Sequence, residues 1–200
     1  MNDANKALEI IPNNVDALAV RGYIYNYLKE YGFALGDVNK ALDIDPNNHN
    51  ALVARADIYN YLKQHDYALR DVNKALEIRP DYSTALAVRG NIYYNLNQYD
   101  KALTDLNKSL EIRPHDRKAL LARGKTCDKL KWYTYALIDL NKLLEIDQNN
   151  AHAFRVRGNV YLGLKQYENA LADLNKSLEI EPDNAHTLRM KEHVYLNFNR

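Results

Sequence analysis

The chain has one cysteine, Cys127, in 200 residues, so no internal disulfide can close and no cysteine-built metal cage can form. It also lacks an excess of either charge: 27 Lys and Arg stand against 26 Asp and Glu, a formal net charge of +1. Dedicated nucleic-acid and membrane-surface proteins need a concentrated basic field, and so balanced a chain has none. No stretch approaches the roughly 18 apolar residues of a membrane span. The opening residues, Met1 to Lys6, lack the apolar segment of a signal peptide. The expectation is a soluble, cytoplasmic protein. Glycine and proline are scarce, at seven and five, and with long apolar periodicity this argues for helices. There is no glycine-rich phosphate loop, no His-Glu-x-x-His helix and no Gly-x-Ser-x-Gly elbow. Neither enzymatic activity nor a cofactor or metal is therefore expected. What the chain has in abundance is tyrosine, sixteen residues.

Even the few prolines are ordered. Pro12, Pro46, Pro80, Pro114 and Pro182 are spaced by 34, 34, 34 and 68 residues, with Gln148 in the gap. The period divides the chain into full units 15–48, 49–82, 83–116, 117–150 and 151–184, with partial units 1–14 and 185–200 at the ends. Such strict spacing suits a stack of identical modules, each presenting the same face to its neighbour. Within a unit the apolar pattern is helical twice. Leu18, Gly22, Tyr25 and Leu28 form one stripe, and Ala34, Val38, Ala41 and Leu42 a second that ends before Pro46. Asn47-Asn48, Asp81, Asp116, Asn149-Asn150 and Asp183-Asn184 suit N-caps of first helices, and Asp66, Asp100 and Thr134 suit caps of second helices. A small column, Gly22, Ala56, Gly90, Gly124 and Gly158, faces an alanine column, Ala34, Ala68, Ala102, Ala136 and Ala170.

The 34-residue period with Gly22, Tyr25, Ala34, Ala41 and Pro46 in one unit, and Gly90, Tyr93, Ala102, Ser109 and Pro114 in another, resembles the tetratricopeptide repeat (TPR) family. The resemblance covers the whole chain. It implies an all-α fold, a right-handed superhelical solenoid of antiparallel helix pairs. It also implies a non-enzymatic scaffold that binds a protein or peptide segment in a concave groove lined by first helices. The fourth unit departs furthest, with Cys127 for Tyr, Leu143 for a small residue and Gln148 for Pro, and is expected to be the loosest.

Two further columns are peculiar to this chain. Every second helix carries Asp-x-Asn-Lys, as in Asp37-Val38-Asn39-Lys40, and every full unit has an Arg before its small residue: Arg21, Arg55, Arg89, Arg123 and Arg157. An Arg and an Asp recurring at fixed positions are expected to form a ladder that sets helix register, not a repeated active site.

Positions of first helices that vary while the packing stripe stays fixed are the expected lining of the groove. They are Tyr23, Asn26 and Tyr27 in unit one, Asp57, Asn60 and Tyr61 in unit two, and Asn91, Tyr94 and Asn95 in unit three. Beyond these come Lys118, Lys125 and Lys129, then Arg155 and Asn159, and Arg189 in the last helix. The first part is rich in Tyr and Asn, suited to the backbone of an extended peptide. The second is basic and suits a partner that is acidic at one end. One TPR subclass grips the acidic tail of heat-shock chaperones with a carboxylate clamp. Arg155 and Asn159 resemble its opening pair, but Met190 stands where the next Asn is required, so that partner is not expected. The alternatives are a homo-oligomer through the terminal helices, where Leu188 and Phe198 would lack a cover, or a regulatory array within a larger protein.

Overall fold

The computed structural model describes residues 1–198, and among these it contains twelve α-helices and no strand. They fall into two compact units. The first, Met1–Gln98, holds α1 (Asn2–Ile10), α2 (Val15–Tyr27), α3 (Tyr31–Ile44), α4 (His49–Tyr61), α5 (His65–Ile78) and α6 (Ser83–Asn95). The second begins at Tyr99 and holds α7 (Tyr99–Ile112), α8 (Arg117–Lys129), α9 (Tyr133–Ile146), α10 (Ala151–Gly163), α11 (Tyr167–Ile180) and α12 (Ala185–Phe198). From α2 to α11, α-helices of 13 residues alternate with helices of 14, the all-α repeat pattern expected.

First helices begin at side-chain caps. The Oδ1 atoms of Asn14, Asn48, Asp116 and Asn150 accept from backbone N–H groups three residues on, at 2.9 to 3.0 Å. Asp81 is an exception to the expectation, because Tyr82 occupies the cap of α6 and its side chain makes no capping bond to the helix. Nor do Asp66, Asp100 and Thr134 cap second helices: α5 and α9 start after Gln64 and Trp132, and all three residues lie inside the first turn. There the two carboxylates meet the positive end of the helix dipole without closing a cap. First helices end on a left-handed residue. Lys29, Lys63, Asn97, Lys131 and Lys165 all have φ between 58° and 63°, and the next N–H reaches back five residues, as in Glu30 N to Tyr25 O at 2.9 Å. This wraps the last turn and allows the sharp reversal into the second helix.

Pairs pack closely because the small column is small. A Cβ on Gly22 would lie 2.6 Å from Val38 Cγ1 and 3.2 Å from the Ala34 carbonyl oxygen, and one on Gly158 would lie 3.0 Å from Leu174 Cγ. Ala34, Ala68, Ala136 and Ala170 are fully buried opposite them. The residues that break the pattern in the fourth unit, Cys127 and Leu143, are buried too, so apolar packing continues through them.

The Asp-x-Asn-Lys motif is a three-way tie. Arg21 donates from Nε and Nη2 to both oxygens of Asp37 at 2.6 and 2.7 Å, and from Nη1 to Asn5 Oδ1 at 3.3 Å. Arg55, Arg123 and Arg157 repeat this with Asp71 and Asn39, Asp139 and Asn107, and Asp173 and Asn141. Each Arg thus joins its own second helix, through Asp, to the preceding second helix, through Asn. The motif's Lys adds a tether to an earlier turn: Lys40 Nζ donates to the Pro12 carbonyl at 3.0 Å and Lys74 Nζ to that of Pro46 at 2.7 Å. The repeated ion pairs therefore fix register and are held by structure.

Candidate functional site

In the first unit α2, α4 and α6 are joined side by side. Asn26 Nδ2 donates to Asp57 Oδ2 at 3.2 Å, and Asn95 Nδ2 to Asn60 Oδ1 at 2.9 Å. Asn26, Asp57 and Asn60 are only 5%, 4% and 4% exposed, so Asn26 Nδ2, Asp57 Oδ2 and Asn60 Oδ1 tie helix to helix beneath the surface, while Asn26 Oδ1 is buried without a hydrogen-bond partner. Asn95 is exposed, and Asn91 and Tyr94 are half-buried. The exposed area belongs to the tyrosines, with Tyr23, Tyr27 and Tyr61 at 41%, 82% and 58%. Tyr31, in the turn column, stacks on Tyr61 with ring centroids 6.2 Å apart. This orients Tyr61 while leaving much of it accessible.

In the second unit the corresponding helices are α8, α10 and α12, and the corresponding tie is Asn159 Nδ2 to Asp128 Oδ2 at 2.7 Å. It shares its 31-residue offset with the Asn26–Asp57 bond. Burial raises the pKa of the Asp128 carboxyl, while the Asn159 bond and the Lys129 charge oppose that shift. Around this tie the sequence-expected cations gather. Burial, then the charges of Arg155 and Lys129, push the Lys125 ammonium down to about 8. Burial lowers Arg155 too, against the opposing effect of Glu181, whose Oε2 lies 4.0 Å from Arg155 Nη1. His152 is driven down to about 3 by burial and by Arg155, Lys125 and His186. His186 is lowered by burial and by Arg155, Arg189 and Lys129. Arg155 thus acts on both histidines, Lys125 on His152, and Lys129 and Arg189 on His186, whereas Lys118 lies exposed in the first turn of α8. Arg189 is exposed, with its Nε 3.4 Å from the Ala185 carbonyl.

A pocket of about 430 Å³ opens beside this cluster, lined among others by Lys129, Lys131, Lys165, Tyr133, Gly163 and His193. Sequence periodicity assigns Tyr133 to turn packing and gives no role to Gly163, Lys131 and Lys165. A signal is nevertheless present: Gly163 stands one period on from Lys129 and three from Tyr61. A Cβ on Gly163 would meet the Tyr133 ring at 2.7 Å. Where Tyr61 stacks on Tyr31 in the first unit, Gly163 therefore leaves Tyr133 open to the pocket.

Other chemistry is weaker. Cys127 is buried, and burial with the Asp139 charge pushes its thiol up to about 11, so the reactive thiolate is disfavoured. Among the described residues no group of His, Cys, Asp and Glu could hold a metal ion, and no helix is long and apolar enough to cross a membrane.

The comparisons agree with this architecture. Tetratricopeptide-repeat family models match residues 49–82, 83–116 and 151–184, together just over half of the chain. No curated protein matches. Among solved structures, YrrB, a TPR protein with an unusual peptide-binding site, is similar at 24% identity and a TM-score of 0.62, over 94% of this chain and 97% of that one. TTC0263, a thermophilic TPR protein in Thermus thermophilus, is similar at 21% identity and a TM-score of 0.77, over 91% and 99%. The first TPR of Spaghetti (RPAP3), bound to the HSP90 peptide SRMEEVD, is similar at 23% identity and a TM-score of 0.56, over 59% of this chain and 94% of that one. At these identities the likeness is one of fold. Together with the repeat matches and the helix pairs, it means that the chain belongs to the tetratricopeptide repeat family, whose members generally mediate protein–protein interactions.

Proposed function

We propose that this protein is a non-catalytic interaction scaffold whose first-helix faces bind an extended segment of another protein. The observation that carries the reading is the division of labour on those faces. Buried Asn and Asp residues lock neighbouring first helices together, while Tyr27 and Tyr61 remain exposed above them. Rigid aromatic area on a fixed base loses little entropy on binding, and half-exposed Asn and Tyr groups supply hydrogen bonds to an extended backbone. On the second unit the cations Lys125, Lys129 and Arg155 favour an acidic portion of the partner. That two structurally similar TPR proteins have, respectively, a peptide-binding site and a bound peptide supports the reading by analogy. The lack of a full chaperone clamp argues against SRMEEVD itself as the ligand.

The test is a screen of the purified chain against short peptides, acidic and neutral, with SRMEEVD as a control. It is run beside Tyr27→Ala with Tyr61→Ala, which leaves the buried ties intact. Peptides enriched by the parent and lost by the variant are expected. Enrichment of none would refute the reading. If the chain also formed a concentration-dependent dimer that Leu188→Ser abolished, self-association through α12, where Leu188 is exposed, would take its place.

A further inference from the structure

We infer that the second unit holds a pocket for one aromatic side chain of the bound segment, a tyrosine or a tryptophan, whose ring packs on Tyr133 beside Gly163 and whose O–H or N–H donates to Asp128. This deepens the peptide-binding reading and rests on it for the source of the ring, though the pocket is testable without a peptide.

The two units differ in what fills this place. Three periods before Lys129, Leu162 and Gly163 stand Tyr27, Asn60 and Tyr61. In the first unit Tyr61 stacks on Tyr31, and Asn60 accepts from Asn95 and so ties α4 to α6. Neither contact can form in the second. Gly163 has no ring to offer Tyr133, and Leu162 has no polar atom with which to hold α12. Asn197, at the position of Asn95, donates instead to the His193 carbonyl of its own helix at 2.7 Å. A pocket of about 430 Å³ opens among Tyr133, Leu162, Gly163 and Asn197, at the register positions that side chains fill in the first unit. Glycine keeps it so, because any Cβ at 163 would lie 2.7 Å from the Tyr133 ring.

The lining selects the guest. A cavity of about 150 Å³ already takes benzene, so a phenol or indole ring enters here with room for its flanking backbone. Tyr167, the other ring on the wall, is engaged by Phe198 at 5.8 Å, whereas among the described residues Tyr133 has no aromatic partner. Lys129, Lys131 and Lys165 bring ammonium groups and apolar stems to the same pocket; the face of a ring attracts the first and packs on the second. Asp128 lines it too. Its Oδ2 accepts from Asn159, and among the described residues its Oδ1 accepts no hydrogen bond. A carboxylate oxygen can only accept, so it favours a ring that carries a donor over phenylalanine, and it repels a second carboxylate.

The experiment titrates the N-acetyl amides of tyrosine, tryptophan, phenylalanine and leucine into the full chain and follows the Tyr133 ring protons by NMR. The first two are expected to shift them saturably and to bind about tenfold more tightly than the phenylalanine probe, the worth of one hydrogen bond to a charged acceptor. Gly163→Tyr restores the side chain of the Tyr61 position. The atoms its Cβ meets are the far end of Tyr133, which swings aside, so probe binding is expected to vanish with helicity by circular dichroism retained. Asp128→Asn keeps a carbonyl for Asn159 and turns an amide N–H to the pocket, which should level the tyrosine and phenylalanine probes; it decides the matter alone if Gly163→Tyr loses helicity. No saturable shift, wild-type binding in a folded Gly163→Tyr, or a leucine probe that binds as well as tyrosine overturns the pocket. So does inorganic phosphate, if it shifts Tyr133 saturably and the aromatic probes do not. In the peptide screen, enriched peptides are expected to share a tyrosine or tryptophan and to be lost in Gly163→Tyr. Enrichment with neither property removes the pocket and leaves the peptide reading standing. Probe binding as expected, with no peptide enriched, leaves the pocket and removes the peptide reading.

Discussion

Removing the carboxylate of Asp139 tests whether the Arg–Asp–Asn ladder holds the repeats together. Asp139 is almost fully buried and accepts from Arg123 Nε at 2.8 Å and Nη2 at 2.7 Å, while Arg123 Nη1 donates to Asn107 Oδ1 at 2.9 Å. In Asp139→Ala two charge-assisted bonds disappear and the guanidinium keeps only Asn107. Breaking a fully buried pair in this way costs about 3–5 kcal/mol. Arg123 retains 27% exposure of its side chain, so water can replace part of what is lost, and the expected cost is about 2–3 kcal/mol. Removing both partners, as Arg123→Met with Asp139→Ala, leaves no stranded charge and should cost well under the sum of the single changes, with a coupling of about 1.5 kcal/mol or more. The four proteins are compared by urea unfolding followed by circular dichroism. Hydrogen exchange at α8 and α9 amides is measured beside it, because repeat proteins need not unfold in one step. Single variants within about 0.5 kcal/mol of the parent, or costs that simply add, would refute the ladder as a source of stability. Register would then be credited to the small and alanine columns alone.

Gly158→Ala should destabilise the second unit by about 1 kcal/mol net, because the crowding against Leu174 Cγ and the Ala170 carbonyl outweighs the gain in helix propensity; a rise in Tm would show that the helices have room to spare. Lys63, at φ 59°, should give the opposite result. Lys63→Gly relieves the left-handed backbone and is expected to gain about 0.5–1 kcal/mol in urea unfolding, while Lys63→Ala, which keeps a Cβ, gains nothing. For His152 the folded pKa is about 3 against an ordinary 6.5, so below pH 6.5 the unfolded chain takes up a proton that the folded chain refuses. Stability should therefore fall as pH drops from 6.5 toward 3, and His152→Gln should flatten that part of the profile in thermal melts. Cys127, its thiol raised to about 11, should resist iodoacetamide at about pH 8, near the ordinary thiol pKa, until the chain is unfolded. Rapid labelling of folded protein would contradict the burial.

What can be read in the sequence is whatever recurs at 34 residues. The small column, the alanine column and the prolines recur because each repeat meets its neighbour in the same way. The Arg and the Asp-x-Asn-Lys motif recur for the same reason, and each Arg stands 16 residues from both its Asn and its Asp. Their pairing follows from periodicity, although the separate tasks of Asp, Asn and Lys do not. The helix starts are less legible. A cap depends on which residue leaves helical geometry first, and at Tyr82 and Trp132 the backbone turns without a side-chain acceptor.

Aligning repeats hides contacts that cross them at another offset. Asn26 with Asp57 and Asp128 with Asn159 pair at 31 residues, and Tyr31 with Tyr61 and Tyr133 with Gly163 at 30. Seen at 34, these residues look merely variable, and variability alone reads as the mark of a binding surface. A residue that breaks the period has in fact one of two reasons: a private bond with the next repeat, or freedom to meet something outside the chain. Asn26, Asp57 and Asn60 belong to the first kind, since their burial matches their pairing. Tyr27 has a largely exposed ring, and Arg155, lowered by burial and faced by a carboxylate only at 4.0 Å, depresses the proton affinity of Lys125 and His186 around it. A side chain placed where burial and its neighbours disfavour its charge gains most from a ligand of the opposite sign. The buried amides and carboxylates that close on one another are therefore scaffold, and the exposed rings and mutually repelling cations are the side chains that the proposed function assigns to a partner.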